Sequence, residues 1–244
     1  MTSSDLWDDE TAATYDEDEA SMFASSVVDP AVDLLATLAG DGRALELAIG
    51  TGRLGIPLMR RGVAVEGIEL SPAMAARLAS KVGAHELPVT VGDMATTVVP
   101  GEFSLVFLAY NSLSNLRTQG EQVACFRNAA RHLGAGGCFV IELFIPPLRM
   151  LVPGQVAVPF AVSEQHTGFD TIDVVTQACT SHHYVKAADG SIRYGVGRFR
   201  YVWPSECDLM AQLAGMTLVD RFGDWDGSPF TAESTKHVSV WRKP

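Results

Sequence analysis

The chain has 244 residues, of which 47% are hydrophobic, and its formal net charge is −11. The excess charge is confined to residues 1–42, which hold 11 acidic and no basic side chains, whereas the other 202 residues hold 18 of each. An acidic chain without a basic cluster lacks the positive charge that attracts a phosphate backbone or an anionic bilayer. We therefore expect neither nucleic acid nor membrane as a partner. The size suits one α/β domain with a sizeable insertion.

The N-terminal segment and the cysteines indicate a cytoplasmic protein. Residues 1–10 lack the basic stretch followed by an apolar stretch that marks a signal peptide. No apolar run in the sequence approaches the ~18 residues of a membrane span. The four cysteines lie far apart without a C-x-x-C pair, so we expect reduced thiols rather than a disulfide framework or a zinc site. They are Cys125, Cys138, Cys179 and Cys207.

The first 145 residues alternate between helical and strand patterns. Residues 8–39 are predicted to form two helices, the second starting at Asp29-Pro30 with proline at the first helical position. Apolar runs that predict strands follow, with helices between them and a glycine turn at 134–137 before the last run. The strands are 44–48, 63–70, 88–91, 103–109 and 138–144, and the helices are 53–61, 71–81 and 119–133. Continuous apolar strands separated by helices predict a parallel sheet buried on both faces.

After Pro146 the pattern changes from helical to alternating. Two long alternating segments, 171–184 and 191–203, flank Asp189-Gly190, which is a strong hairpin signal. They predict an antiparallel insertion. A helix over 205–214 then precedes strands 217–222 and 237–241, which can pair antiparallel because no helix joins them.

A glycine-rich turn lies between the first strand and its helix. Gly50, Gly52 and Gly55 match G-x-G-x-x-G, which suits either a tight turn without a ligand or a cofactor site, a nicotinamide dinucleotide included. Glu46 argues against the dinucleotide, because a carboxylate inside a buried strand is costly unless it meets a donor or a cationic ligand. Gly92-Asp93 after the third strand argues against it as well, since a carboxylate there could meet a nucleobase amino group.

Taken together, Glu46-x-x-x-Gly50-x-Gly52, the acid Glu69 at the end of the second strand and Gly92-Asp93 resemble the motifs of class I S-adenosylmethionine-dependent methyltransferases. The resemblance is to the small-molecule type that acts on natural products and sugar amines. It implies an α/β, Rossmann-like seven-stranded sheet with its last strand antiparallel. The alternating segments after Pro146 add an antiparallel β insertion between strands 5 and 6 to this predicted fold. The resemblance further implies S-adenosyl-L-methionine as cofactor, S-adenosyl-L-homocysteine as product, and methylation of an N, O or C atom of a secondary metabolite. We expect a monomer or homodimer.

The resemblance also implies a set of cofactor contacts along the strand ends. In order from the methionine end to the adenine end, with the two residues beside the methyl group last, they are Glu46, Gly50, Thr51, Gly52, Glu69, Leu70, Met74, Asp93, Met94, Ala109 and Tyr110. Glu69 would accept hydrogen bonds from the ribose hydroxyls and Asp93 would take the adenine amino group. Other interpretations stay open: Glu46 could pair with Arg43, Met74 and Met94 could be core, and Glu69 and Asp93 could be an exposed strand end and a turn residue.

Three residues are candidates for the chemistry. Tyr15, in Ala13-Thr14-Tyr15-Asp16, resembles a tyrosine that closes over the methyl group in small-molecule methyltransferases, but it could simply pack a helix. Glu142 is a lone acid in an apolar strand, which suggests substrate contact or a buried structural hydrogen bond. His182 could be a base, although it and His183 point to opposite faces of one predicted strand. No spacing predicts a metal site.

These predictions divide one methyltransferase domain into four parts. They are an N-terminal helical lid (1–42), a cofactor-binding core (43–145), a substrate-side insertion (146–203) and a last helix with a strand pair (204–244). The lid is predicted because aromatic residues accompany the acids of residues 1–24; a disordered leader is the alternative. The functional alternatives are a nicotinamide-dependent oxidoreductase and a non-catalytic regulatory protein that binds the cofactor.

Overall fold

The computed structural model describes residues 7–187 and 189–244, and two β-sheets form its framework. Residues 1–6 of the acidic head lie outside the described residues. The strands in chain order are β1 Arg43–Leu47, β2 Ala64–Glu69, β3 Val89–Val91, β4 Phe103–Leu108, β5 Leu133–Phe144, β6 Ala157–Val162, β7 His166–Ile172, β8 Ala178–Lys186, β9 Ile192–Arg200, β10 Thr217–Phe222 and β11 Lys236–Arg242. The helices are α1 Asp9–Asp18, α2 Ser25–Ala39, α3 Gly55–Arg60, α4 Pro72–Ala79, α5 Gln119–His132 and α6 Pro204–Leu213.

The main sheet has seven strands in the order β10-β11-β5-β4-β1-β2-β3. Strands β1 to β5 are parallel, and β11 is antiparallel to both of its neighbours, β10 and β5. This confirms the predicted seven-stranded sheet with its last strand antiparallel. Because the carboxyl ends of five parallel strands meet at one edge, that edge is the natural place for a binding site.

Helices cover both faces of the main sheet and bury its apolar strands. On one face α5 and α6 enclose an aromatic cluster in which the ring centroid of Phe126 lies 5.1 Å from Phe139 and 5.4 Å from Trp241. On the other face α2, α3 and α4 bury Leu35, Leu58 and Leu78. Two apolar layers around a parallel sheet are what the continuous hydrophobic strands predicted.

Two predicted boundaries in the first 145 residues are wrong. Helix α2 begins at Ser25, so Pro30 lies inside it rather than at its first position. The missing N–H costs one helical hydrogen bond, while the earlier turn buries Val28 against the core. The glycines at 134–137 do not form a separate turn but belong to the irregular start of β5, which shifts register against β4.

The insertion follows β5 and precedes β10 in the sequence, and it forms a second sheet with the order β6-β7-β8-β9. Its antiparallel pairing confirms the prediction. The predicted segment 171–184 is nevertheless two strands, because Asp173 turns the chain by accepting hydrogen bonds from the N–H of Val175 and the hydroxyl of Thr176. The predicted strand over 191–203 ends at Arg200, where the chain leads into α6.

A buried arginine joins the insertion to the main body. The guanidinium of Arg200 donates to Gln122 Oε1 of α5 at 2.6 Å and pairs with Glu206 Oε1 of α6 at 3.0 Å. Gln122 in turn donates to the carbonyl of Leu116, so the insertion is tied to the segment that follows β4. Within the described ranges, no helix combines the length and the apolar character needed to cross a membrane.

Candidate active site

A cavity opens at the carboxyl ends of β1, β2 and β3. Four of the residues predicted for a cofactor, Glu69, Leu70, Asp93 and Met94, are among those that line it. Its full lining is Trp7, Ala48, Ile68, Glu69, Leu70, Gly92, Asp93, Met94, Asn115 and Leu116. The strand order brings these positions together, because β1, β2 and β3 are neighbours in the sheet.

The three glycines of the turn have different surroundings. Gly50 has φ +57°, and a Cβ added to it would meet nothing within 4 Å, so its open side is available to a ligand. A Cβ on Gly52 would lie 2.8 Å from Ile56 and 3.1 Å from Leu78, and one on Gly55 would lie 2.7 Å from Glu46 Oε2. Gly50 therefore provides space above the turn, whereas the other two allow close packing beneath it.

Two carboxylates at the strand ends accept hydrogen bonds from backbone N–H groups and also line the cavity. Glu69 is 6% exposed and accepts from the N–H groups of Gly50 and Ser71, both at 2.8 Å. Burial raises its pKa against the lowering effect of these hydrogen bonds. Asp93 accepts from the N–H of Ala95 at 2.7 Å. Glu69 is buried, so the alternative of an exposed strand end is wrong for it. Asp93 does form a turn, since its side chain accepts from the N–H two residues on, and it lines the cavity as well.

Glu46 is a buried acid with an unsatisfied oxygen. Its side chain is on β1, it is 5% exposed, and its Oε2 has no hydrogen-bond partner among the described residues. Burial raises the pKa of Glu46 to about 8, although the charge of Arg53 and the N–H of Gly55 act in the opposite direction. The alternative that Glu46 pairs with Arg43 is wrong, because Arg43 pairs with Glu66 on β2.

Helix α1 lies over the glycine turn and is held there by Asp16. Asp16 Oδ1 accepts from the hydroxyl of Thr51 at 2.6 Å, and Asp16 Oδ2 pairs with the ammonium of Lys81 at 2.5 Å. Ahead of the helix, the hydroxyl of Ser71 donates to the carbonyl of Trp7 at 2.5 Å. The ring of Tyr15 packs edge-on against Trp7, which lines the cavity, with centroids 5.7 Å apart. Burial raises the pKa of Tyr15 to about 12.

Tyr110 follows β4 with its backbone in the left-handed region, at φ +53°. Its N–H donates to Glu142 Oε2 at 2.9 Å, and its hydroxyl donates to Glu19 Oε2 at 2.7 Å. Glu142, 2% exposed, also accepts from the ammonium of Lys236 at 3.3 Å. Both oxygens of Glu142 are thus engaged by protein groups, which favours the buried structural hydrogen bond over substrate contact.

His182 lies in the insertion with its ring enclosed by insertion residues. Its Nδ1 is 2.8 Å from the hydroxyl of Tyr194, its Nε2 is 3.2 Å from Thr171 Oγ1, and its ring stacks on Phe169 at 4.9 Å. His183 points to the other face and contacts His166, as strand alternation predicted. These contacts direct neither ring nitrogen of His182 toward the cavity at the strand ends.

Two of the remaining predicted residues, Met74 and Ala109, are not among those that line the cavity. Met74 is buried among core residues in α4, and Ala109 is buried at the end of β4. Sequence reasoning missed Asn115 and Leu116, which line the cavity from the segment after β4. Both belong to the segment that connects β4 to α5, and connections at the carboxyl ends of parallel strands are where site residues are expected. In the described part of the chain, no group of three or more potential metal ligands is close enough to hold a metal ion.

Comparisons with known proteins agree with this geometry. Residues 44–137 match a family model described as "Methyltransferase domain". The CcbJ methyltransferase from Streptomyces caelestis is 35% identical and superimposes with a TM-score of 0.79, over 88% of this chain and 88% of that one. The chain is an S-adenosylmethionine-dependent methyltransferase.

More distant relatives of this methyltransferase agree with that assignment. The cypemycin N-terminal methyltransferase of Streptomyces sp. is 27% identical over 93% of this chain and 97% of its own length. The fold also matches the S-adenosylmethionine-bound amino pentose methyltransferase CalS10 from Micromonospora echinaspora, with a TM-score of 0.68 and 22% identity over 87% of this chain and 88% of that one. S-adenosylmethionine is therefore the methyl donor. The comparisons support neither the oxidoreductase nor the regulatory protein.

Proposed function

We propose that this methyltransferase binds S-adenosylmethionine across the ends of β1, β2 and β3, with its methionine end at the glycine turn. The observation that carries this proposal is the combination of the open side of Gly50 with the unpartnered Oε2 of Glu46. The space accepts the amino acid tail, and the carboxylate suits its ammonium group. The residues that line the cavity, Glu69 and Asp93 among them, suit the ribose and the adenine.

We infer that helix α1 is a lid over the bound cofactor. Its support is the contact of Asp16 with Thr51 and Lys81, and the position of Trp7 on the cavity. A lid of this kind excludes water and completes the acceptor side of the site. The four-part division of the chain, with residues 1–42 as lid and 146–203 on the substrate side, belongs to this proposal.

Methyl transfer requires the protein mainly to position the cofactor and the acceptor. The cofactor supplies a methyl group on a sulfonium sulfur; the acceptor's lone pair forms the new bond to carbon while the electrons of the carbon–sulfur bond stay on sulfur. Placing the two reactants in line at ~3–3.5 Å accounts for most of the acceleration such a reaction needs. Burial raises the pKa values of Tyr15 and Tyr110, so both phenols stay protonated at neutral pH. We propose that they orient the acceptor and that Glu142 positions Tyr110.

We propose that the acceptor is an amine of a small natural product. The names of relatives support nitrogen: one is a cypemycin N-terminal methyltransferase, another is an amino pentose methyltransferase, and a third is a sugar N-methyltransferase from Streptoalloteichus sp.. Two phenols and a carboxylate, Glu19, stand at the end of β4 beside the predicted methyl position. We assign no chemistry to His182, since its polar contacts lie within the insertion.

The test uses matched acceptor pairs and labelled S-adenosylmethionine. The members of each pair differ in whether they carry a free amine: an amino sugar against the corresponding hydroxyl sugar, and a short peptide with a free N-terminus against its acetylated form. We expect methyl transfer, measured by mass spectrometry as the methylated product together with S-adenosylhomocysteine, to the amine member of a pair. Transfer to the hydroxyl member alone would contradict an amine acceptor.

A further inference from the structure

Glu19 is a half-buried carboxylate between two tyrosines at the end of the proposed lid. It caps α1, and its Oε2 accepts from the hydroxyl of Tyr110 at 2.7 Å. After burial, the charge of Glu19 is the largest cause that raises the pKa of Tyr15, so that phenol is also close by. The carboxylate thus stands beside both rings that we assign to the acceptor.

Within the described ranges, Glu19 forms no ion pair with a cation of the protein. The ion pairs there use Asp16, Asp33, Glu66, Glu142 and other acids, but not Glu19. The guanidinium of Arg53 lies over the ring of Tyr110 at 5.2 Å and donates to the carbonyl of Met22 at 3.4 Å. A partly desolvated carboxylate without a counter-ion is unfavourable by itself, and a cationic ligand would compensate it.

The strand order puts Glu19 at the acceptor end of the site. The cavity lies at the ends of β1, β2 and β3, whereas Tyr110 follows β4 on the other side of β1. With the adenine side at Asp93, next to β3, a cofactor that crosses the end of β1 directs its reacting end toward β4. Tyr110, fixed there by Glu142, brings the carboxylate of Glu19 to that end.

We propose that Glu19 accepts a hydrogen bond from the N–H of the acceptor's neutral amine, with the rings of Tyr15 and Tyr110 flanking the nitrogen. As the nitrogen lone pair attacks the methyl carbon and the carbon–sulfur electrons pass to sulfur, the nitrogen becomes an ammonium group, which gains a charge-assisted hydrogen bond from the carboxylate and cation–π contacts from the phenols. This inference rests on the proposed amine acceptor and adds the residue that selects it. It makes Glu19 a specificity-determining residue, since a neutral hydroxyl would leave the carboxylate uncompensated.

The test needs no knowledge of the acceptor. Sinefungin is an analogue of S-adenosylhomocysteine that carries a protonated amine where the methyl group of the cofactor would be. Its dissociation constant and that of S-adenosylhomocysteine are measured by calorimetry at pH 7 for wild type, Glu19→Gln, Tyr110→Phe and the control Glu17→Gln. Glutamine retains an oxygen that can accept from Tyr110, so Glu19→Gln removes the charge while keeping the contact. Glu17 is exposed on the same helix.

We expect Glu19→Gln to weaken sinefungin at least tenfold while S-adenosylhomocysteine changes less than twofold and Glu17→Gln changes neither. An unchanged sinefungin affinity in Glu19→Gln would overturn the proposal. Tyr110→Phe should weaken sinefungin as well, because the lost hydroxyl holds Glu19 at that end, whereas a loss in Glu17→Gln equal to that in Glu19→Gln would overturn the proposal. The amine acceptor itself is tested by the matched acceptor pairs, so failure of that function is distinguishable from failure of Glu19.

Discussion

The hydroxyl of Thr51, in the glycine turn, donates a 2.6 Å hydrogen bond to Asp16 of the N-terminal helix. The two residues are 35 positions apart, and their contact joins the proposed lid to the backbone that we assign to the cofactor's amino acid tail. Lys81 strengthens the junction, because its ammonium reaches both Asp16 and the carbonyl of Thr51. The lid and the turn therefore form one structural unit.

Asp16→Asn should loosen the lid without unfolding the protein. Loss of a partly exposed charge-assisted contact predicts weaker binding of S-adenosylhomocysteine by about 1–2 kcal/mol. Calorimetric titration measures this change, and the melting temperature without ligand should stay close to that of wild type. The control is Asp18→Asn, since Asp18 bonds only within its helix, to Thr14, in the contacts that the structure gives it. Equal affinities for wild type and Asp16→Asn would argue against a lid held at this point.

Glu46 should make cofactor binding depend on pH. Its raised pKa of about 8 means that the free enzyme holds a proton there at pH 7, whereas a ligand ammonium favours the ionised carboxylate. Binding should therefore release a proton, and affinity for S-adenosylhomocysteine should rise as pH increases from 6 to 8, by up to about tenfold per unit. Calorimetry in buffers of different ionisation enthalpy counts the proton. Glu46→Gln should abolish the dependence, whereas Glu66→Gln should keep it; a wild type without proton release would refute this role.

The sequence predicted the acids of the site better than the contacts between its parts. Glu69 and Asp93 follow directly from strand ends and a motif, because parallel strands place those ends together. The contact of Tyr110 with Glu19 spans 91 residues and depends on how α1 docks, which no local pattern encodes. The predicted start of α2 at Pro30 is wrong for a related reason: burial of Val28 extends α2 upstream of the proline against local propensity.

The same limit applies to the candidates for the chemistry. A lone acid in an apolar strand marks Glu142 as special, and its burial at 2% exposure agrees. The sequence cannot show that the N–H of Tyr110 and the ammonium of Lys236 occupy its oxygens, since both come from other strand ends. Likewise, the insertion sheet brings Thr171, Phe169 and Tyr194 around His182 only after its strands have paired.

Glu69→Ala should weaken both the cofactor site and the fold. The carboxylate accepts from two buried N–H groups, those of Gly50 and Ser71, which alanine would leave unpaired at a cost of about 1–3 kcal/mol each. We therefore expect a lower free energy of unfolding without ligand and loss of measurable S-adenosylhomocysteine binding. Urea unfolding and calorimetry separate the two effects. Glu69→Gln should recover part of the stability, and unchanged ligand affinity in a folded Glu69→Gln protein would exclude a role in binding.

The central claim, that the cofactor lies against the open side of Gly50, is tested most directly by calorimetric titration of Gly50→Ala with S-adenosylhomocysteine. Gly40→Ala is the matched control: Gly40 has φ +55° against +57° for Gly50, and an added Cβ meets nothing within 4 Å at either position. Both substitutions place a Cβ on a residue with positive φ, so both strain the backbone. The account predicts at least a hundredfold loss of affinity in Gly50→Ala and wild-type affinity in Gly40→Ala. Wild-type affinity in a folded Gly50→Ala protein would contradict it.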